Sequence, residues 1–188
     1  WRELRPPILP KYERESLSPY SFASLARDFP ELFFARSLIE QILAVNGQEI
    51  GSHTYSHFYG GEEGATIESF ISDMNSNQVI FSELGITPTS FVFPRNQVRE
   101  DYLKILSDFG FTGYRGNQEH WLYRKGSSVP HSSLARYMRF ADDYIPISGN
   151  HVLMSRSKGN DMGLINVAAS RFLRPSTSFS VFDQLNVW

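Results

Sequence analysis

Gln48-Glu49-Ile50-Gly51-Ser52-His53-Thr54-Tyr55-Ser56-His57 sets two of the chain's five histidines four residues apart, behind a short apolar run and a glycine and among small hydroxyl residues. Neutral imidazole is a common metal ligand, and a His-x-x-x-His spacing lets two rings converge from one helix face, or from a strand end into the following turn. Residues 49–55 read as a short strand, which favours the second geometry. The same spacing also fits two histidines that are satisfied in a core or on a surface without any metal.

Working outward, Leu32, Phe33, Leu38, Ile39, Ile42 and Leu43 recur at helical spacing upstream. With Asp28 as a cap and Asn46-Gly47 as a stop, they predict a helix starting at Pro30. Downstream, residues 66–84 predict a second helix with Ile67, Phe70, Ile71, Met74 and Phe81 on one face and Gly85 at its end. Residues 89–93 then alternate like a strand and are cut off by Pro94. Residues 99–109 carry the stripe Tyr102, Leu103, Ile105, Leu106 and Phe109, closed by Gly110, and lead into a short strand at 111–115.

Alternating helices and strands with short connections predict parallel βα units, whose ligands gather at the carboxyl ends of the strands. Ser52-His53, Pro94-Arg95-Asn96 and Arg115-Gly116-Asn117 would then share one face. The expected organisation is a single domain: residues 1–29 as an extended, loop-rich lead-in, 30–117 as the βα core, and 118–188 as a less regular continuation. Within that continuation, 125–130 reads as a loop, 133–140 as a short helix and 142–146 as a turn. The apolar stretches at 162–169 and 179–187 fit neither helix nor strand decisively.

With 188 residues, 41% of them hydrophobic and 20% charged, the chain suffices for one ordinary core. A net charge of −2 argues against a nucleic-acid partner, which calls for a basic excess on one face. The absence of cysteine excludes disulfides and thiolate sites, so a metal would be held by His, Asp, Glu or backbone oxygen. No apolar run approaches the roughly 20 residues that cross a bilayer, and the first residues do not read as a signal peptide. A start without methionine and an apolar-rich end predict an internal piece of a longer protein.

The run from Gly47 to His57 resembles the second motif of the polysaccharide deacetylases with a NodB-homology domain, an Ile-Gly-x-His-Ser/Thr-x-x-His sequence that supplies two metal ligands. In that family the next strand ends in Arg-x-Pro-aromatic-Gly. Here Phe91-Val92-Phe93-Pro94-Arg95-Asn96 stands in the corresponding place: Pro94 matches, while Val92, Arg95 and Asn96 replace the arginine, the aromatic residue and the glycine. The resemblance covers roughly residues 30–115 and implies an α/β fold that is part of an irregular (β/α) barrel, truncated at both ends.

The resemblance also implies function. Its members are metal-dependent hydrolases that remove acetyl groups from amino sugars in polysaccharides or oligosaccharides, so an acetylated glycan is the expected partner. The implied cofactor is a divalent ion, zinc first, with cobalt, nickel or manganese as alternatives, and the implied ligands are His53 and His57. Arg95 is a candidate catalytic residue, orienting a carboxylate or meeting an anionic group, or else a solvated strand-end charge. Tyr55, Pro94, Asn96 and Trp121 are candidates for substrate binding, and Tyr114 for stacking against a sugar ring. The family's aspartate ligand and its neighbouring base lie on a first strand without a match here, and its late Leu-x-His motif has none either. Asp142-Asp143 copies the aspartate pair in the wrong order and reads as a turn or cap. The altered third motif keeps open an alternative, a carbohydrate-binding relative that retains the barrel without the chemistry. A bacterial cytoplasmic or envelope location is suggested by the family only.

Overall fold

Three short strands, β1 (Ser90–Val92), β2 (Gly113–Arg115) and β3 (Ile165–Asn166), pair in parallel in that order. The computed structural model describes residues 4–117, 122, 133–142, 145, 147–149 and 161–168. The chain divides into two compact units, residues 1–115 with 158–166, and residues 116–157 with 167–188. Among the described residues the sheet is open and not a closed barrel.

Among the described residues the first unit carries four α-helices: α1 (Ala23–Asp28), α2 (Arg36–Leu43), α3 (Ile67–Glu83) and α4 (Glu100–Asp108). Thr66 and Ser69 start α3 with a reciprocal cap, the Thr66 hydroxyl accepting from the Ser69 amide and the Ser69 hydroxyl from the Thr66 amide. The helix stops where Ile86 N donates to Phe81 O at 2.8 Å. In α4, Glu100 and Asp101 occupy the first turn, where negative charge complements the helix dipole.

The core lies between these two helices and the sheet. Phe70 of α3 stacks on Tyr102 of α4 with ring centroids 4.2 Å apart and planes 13° apart. Phe91 of β1 meets Phe70, Phe93 and Phe111 edge-on. Full burial of such a ring contributes about 1.5–3 kcal/mol, so this aromatic cluster is what fixes α3 and α4 to the sheet.

The expected α3, α4, β1 and β2 are present within two residues of their expected bounds. Three expectations fail. The helix expected from Pro30 is a single 3-10 turn at Pro30–Leu32 followed by α2, and Asp28 ends α1 instead of capping the next helix. Residues 49–55 form no strand, because only Ser52 reaches β1, as a parallel bridge to Phe91. Two hydrogen bonds make that bridge: Ser52 N donates to Ser90 O and Val92 N donates to Ser52 O, both at 2.9 Å. The lead-in, expected to be extended, carries 3-10 turns at Glu15–Leu17 and Pro19–Phe22 as well as α1.

In the second unit, α5 (Ser133–Asp142) fills the expected short helix. Asp142 is buried there, and its carboxylate accepts from the Ser148 amide and hydroxyl, each at 2.6 Å. That is a turn clasp, in keeping with the structural reading of this aspartate. Trp121, Asp143, the 125–130 loop and the 179–187 stretch lie outside the described residues.

Candidate functional site

The segment that bridges β1 at Ser52 runs directly into the histidines, so the sheet edge places them. Gly51 eases the approach, since a Cβ there would lie 3.2 Å from Ser90 O and would push the Ser90 hydroxyl aside. One residue past the bridge, His53 Nδ1 sits 2.7 Å from Val92 O. A carbonyl only accepts, so Nδ1 carries the proton and Nε2 keeps its lone pair. This is the arrangement in which a metal-ligating imidazole is usually held by its other nitrogen.

Four residues on, the backbone turns the chain so that His57 faces His53. Their ring centroids are 4.8 Å apart with planes at 66°. Two imidazoles each bound through one nitrogen in a tetrahedral site put their ring centres roughly 5 Å apart, so the pair fits a shared ion. The turn uses the left-handed region at Thr54 (φ 66°) and His57 (φ 54°). For a β-branched residue such as Thr54 that conformation is a genuine outlier and must be held by its surroundings.

The holding groups are all polar. Thr54 Oγ1 accepts from Phe58 N at 2.8 Å, and Ser52 Oγ accepts from Thr54 N at 3.3 Å and from Asn77 Nδ2 at 2.8 Å. Between the histidines, the Asp73 carboxylate accepts from Tyr55 N at 2.8 Å, from Ser56 N at 3.1 Å and from the Ser56 hydroxyl. On the far side, the Tyr12 hydroxyl accepts from Tyr59 N at 2.8 Å. Partial desolvation, then the electrostatic influence of the neighbouring His53 ring and of the Arg95 cation, holds His57 below the ordinary imidazole range, which favours its neutral, ligating form.

The end of β1 closes the site. Pro94 is buried, and Arg95 and Asn96 both take φ 52°. The Arg95 guanidinium lies over the Tyr59 ring and 3.7 Å from Glu62 Oε1, while Asn96 Oδ1 accepts from Arg115 Nη2 at 2.9 Å. Glu62 is itself held below the usual carboxylate range, first by the Gln97 amide at 2.8 Å and then by Arg14 and Arg95.

His53 and His57, just past the Ser52 bridge, are thus brought beside Arg95 and Asn96 at the carboxyl end of β1. Residues 33–114 match the family model described as polysaccharide deacetylase. This central region is similar to the polysaccharide deacetylases, and the match spans less than half of the chain. No curated protein and no solved structure matches the chain. Against the polysaccharide deacetylase motif the left-handed Asn96 is informative: it stands where that motif has glycine, and asparagine is among the few other residues that visit that conformation routinely. Among the described residues no helix is long and apolar enough to cross a membrane, and no group of three His, Cys, Asp or Glu side chains is placed to hold an ion.

Other expected positions fall differently. Tyr55 is half-buried, and its amide is bound by Asp73; burial and then the Asp73 charge push its phenol up to about 12. Tyr114 is a buried core residue against Phe93, which removes it as a stacking platform. Asp73, Asn77, Tyr12 and Tyr59 were missed by the apolar-stripe reading. The available signal was polar residues at 73 and 77, one turn apart on the same helix face as Phe70, Met74 and Phe81.

Proposed function

We propose that the chain is the histidine-bearing part of a metal-dependent deacetylase that removes acetyl groups from N-acetylated amino sugars of a polysaccharide or oligosaccharide. The observation that carries this reading is the convergence of His53 and His57, with His53 Nδ1 tied to Val92 O, inside the region that matches the deacetylase family. His53 Nε2 and the His57 ring would hold a divalent ion, zinc first. When bound, the ion supplies Lewis acidity toward the acetyl carbonyl and acidifies water. The chain's own residues hold the His53 ring through Nδ1, favour the neutral form of His57, and place Arg95 at the rim, where it would orient a carboxylate or meet an anionic group of the glycan. The wider arrangement that this reading implies, the family's irregular (β/α) barrel, goes beyond the open three-stranded sheet of the described residues.

Zinc titration by calorimetry and acetate release from an N-acetylated oligosaccharide test it together. With two imidazoles alone, zinc affinity is expected to be weaker than that of a three-ligand site and turnover by the 188 residues low. His53→Ala and His57→Ala should each abolish the binding that remains. Zinc binding and acetate release equal to wild type in both variants would exclude the ligand roles.

A second reading is a carbohydrate-binding relative without catalysis. It is favoured by Val92, an apolar residue where the family motif has arginine. Glycan binding without acetate release, in the presence of zinc, would select it.

A further inference from the structure

A strained loop carries both imidazoles, and the group that grips its middle is a carboxylate with no cation beside it. Asp73 is 1% exposed, and among the described residues it makes no ion pair. Three donors converge on its two oxygens: the amides of Tyr55 and Ser56 and the Ser56 hydroxyl. An ionised carboxylate is the acceptor-only side chain of this length; an asparagine would turn an NH2 toward one of the donors. Burying a charge without a counter-charge costs stability, so the return on this residue is geometric. One turn along α3, Asn77 fixes Ser52, the residue before His53. A single helix face therefore holds the loop at Ser52 and at Tyr55-Ser56, bracketing the left-handed Thr54.

We propose that Asp73 is a positioning residue of the histidine pair, setting the separation and orientation of the His53 and His57 rings by clamping the peptide between them. This rests on the reading of His53 and His57 as metal ligands. Supporting groups of this kind change metal affinity by about ten- to a hundredfold when lost.

The test compares Asp73→Asn and Ser56→Ala with Phe81→Leu, a core change farther along the same helix, with the loss of Tm measured for each so that destabilisation alone is accounted for. Zinc affinity is read by calorimetry, and the protonation of each His53 nitrogen is read by long-range 15N correlation without metal. Asp73→Asn should lose at least tenfold in affinity, Ser56→Ala less, and Phe81→Leu nothing. Both loop variants should also lose the fixed Nδ1-protonated form of His53. Affinity and ring signals in Asp73→Asn that match Phe81→Leu would overturn the proposal. Should Asp73→Asn fail to fold, wild-type affinity and ring signals in Ser56→Ala overturn it equally. If the wild-type chain takes up no zinc, the metal reading fails, and the metal-free ring signals still decide whether Asp73 positions His53.

Discussion

The guanidinium carbon of Arg95 lies 4.3 Å from the centroid of the Tyr59 ring, and the edge of the assembly continues from Tyr59 to His57, whose ring meets it at 5.0 Å and 85°. A cation over an exposed aromatic face contributes about 0.5–1 kcal/mol, so Tyr59 is a platform that keeps the arginine's charge beside the imidazole. Glu62 draws the same guanidinium from the other side.

The charge of Arg95 has a measurable consequence. It is one of the causes that lower the His57 pKa, after desolvation and His53. Arg95→Gln removes the positive charge and keeps most of the bulk, so the His57 pKa should rise toward the ordinary imidazole value. Proton NMR titration of the His57 ring in both chains measures this. An unchanged midpoint would mean that Arg95 points its charge elsewhere in solution.

Phe70 and Ile71 are neighbours on α3 with opposite fates. Phe70 is 1% exposed and stacked on Tyr102, whereas Ile71 is 36% exposed. Phe70→Ala should destabilise by about 3–5 kcal/mol through lost burial and a cavity. Ile71→Ala should cost less than about 1.5 kcal/mol, because its side chain is only partly withdrawn from water. Urea denaturation separates the two, and similar losses would contradict the face that α3 turns to the core.

The contrast shows what periodicity conveys. Repeating apolar positions predicted α3, α4 and both flanking strands, because local spacing alone decides which face of an element is apolar. It failed where tertiary contacts decide. Residues 49–55 look like a strand, yet only Ser52 pairs with β1, and the following residues leave the extended region at Thr54. The expected long helix from Pro30 divides at residues 33–35, and α2, with an apolar stripe that includes Leu38, Ile42 and Leu43, buries none of its residues. For the site, the His-x-x-x-His pair was legible as residue types at a spacing. Asp73 and Tyr12, 18 residues after Tyr55 and 47 before Tyr59 respectively, come to the loop only through the packing of α3 and the lead-in.

That lead-in is tied to the loop region at Gly64. Lys11 N donates to Gly64 O at 3.1 Å, and Gly64 takes φ 86° with the Lys11 carbonyl so close that a Cβ would overlap it. Gly64→Ala combines an unfavourable backbone conformation with a steric clash, and should cost more than about 1 kcal/mol. Tyr12, one residue after Lys11, should lose its hold on Tyr59 N. Faster amide exchange at Tyr59 in Gly64→Ala would report that release; wild-type stability and exchange would show that the lead-in is not anchored here.

Asp73 makes the stability of the fold depend on pH in a defined sense. Burial raises its carboxyl from the ordinary 3.8 up to about 6, against the opposing effect of the Ser56 and Tyr55 hydrogen bonds. Between those two values the folded chain keeps a proton that the unfolded chain has released. Its contribution to stability is therefore full below about pH 4 and is lost as pH rises through about 6, by roughly 3 kcal/mol in all. Asp73→Asn carries no such titration, and histidine protonation is common to both chains. The difference in unfolding free energy between wild type and Asp73→Asn should thus shift by most of that amount between pH 4 and pH 7, in favour of the variant at the higher pH. Urea denaturation at both values measures it, and a constant difference would mean that water reaches the carboxylate. The charged form that costs stability is also the form whose two oxygens are both free to accept from the loop. At neutral pH, above about 6, this carboxylate form prevails and the lowered His57 is neutral as well, so there the clamp is complete while the imidazole can bind a metal.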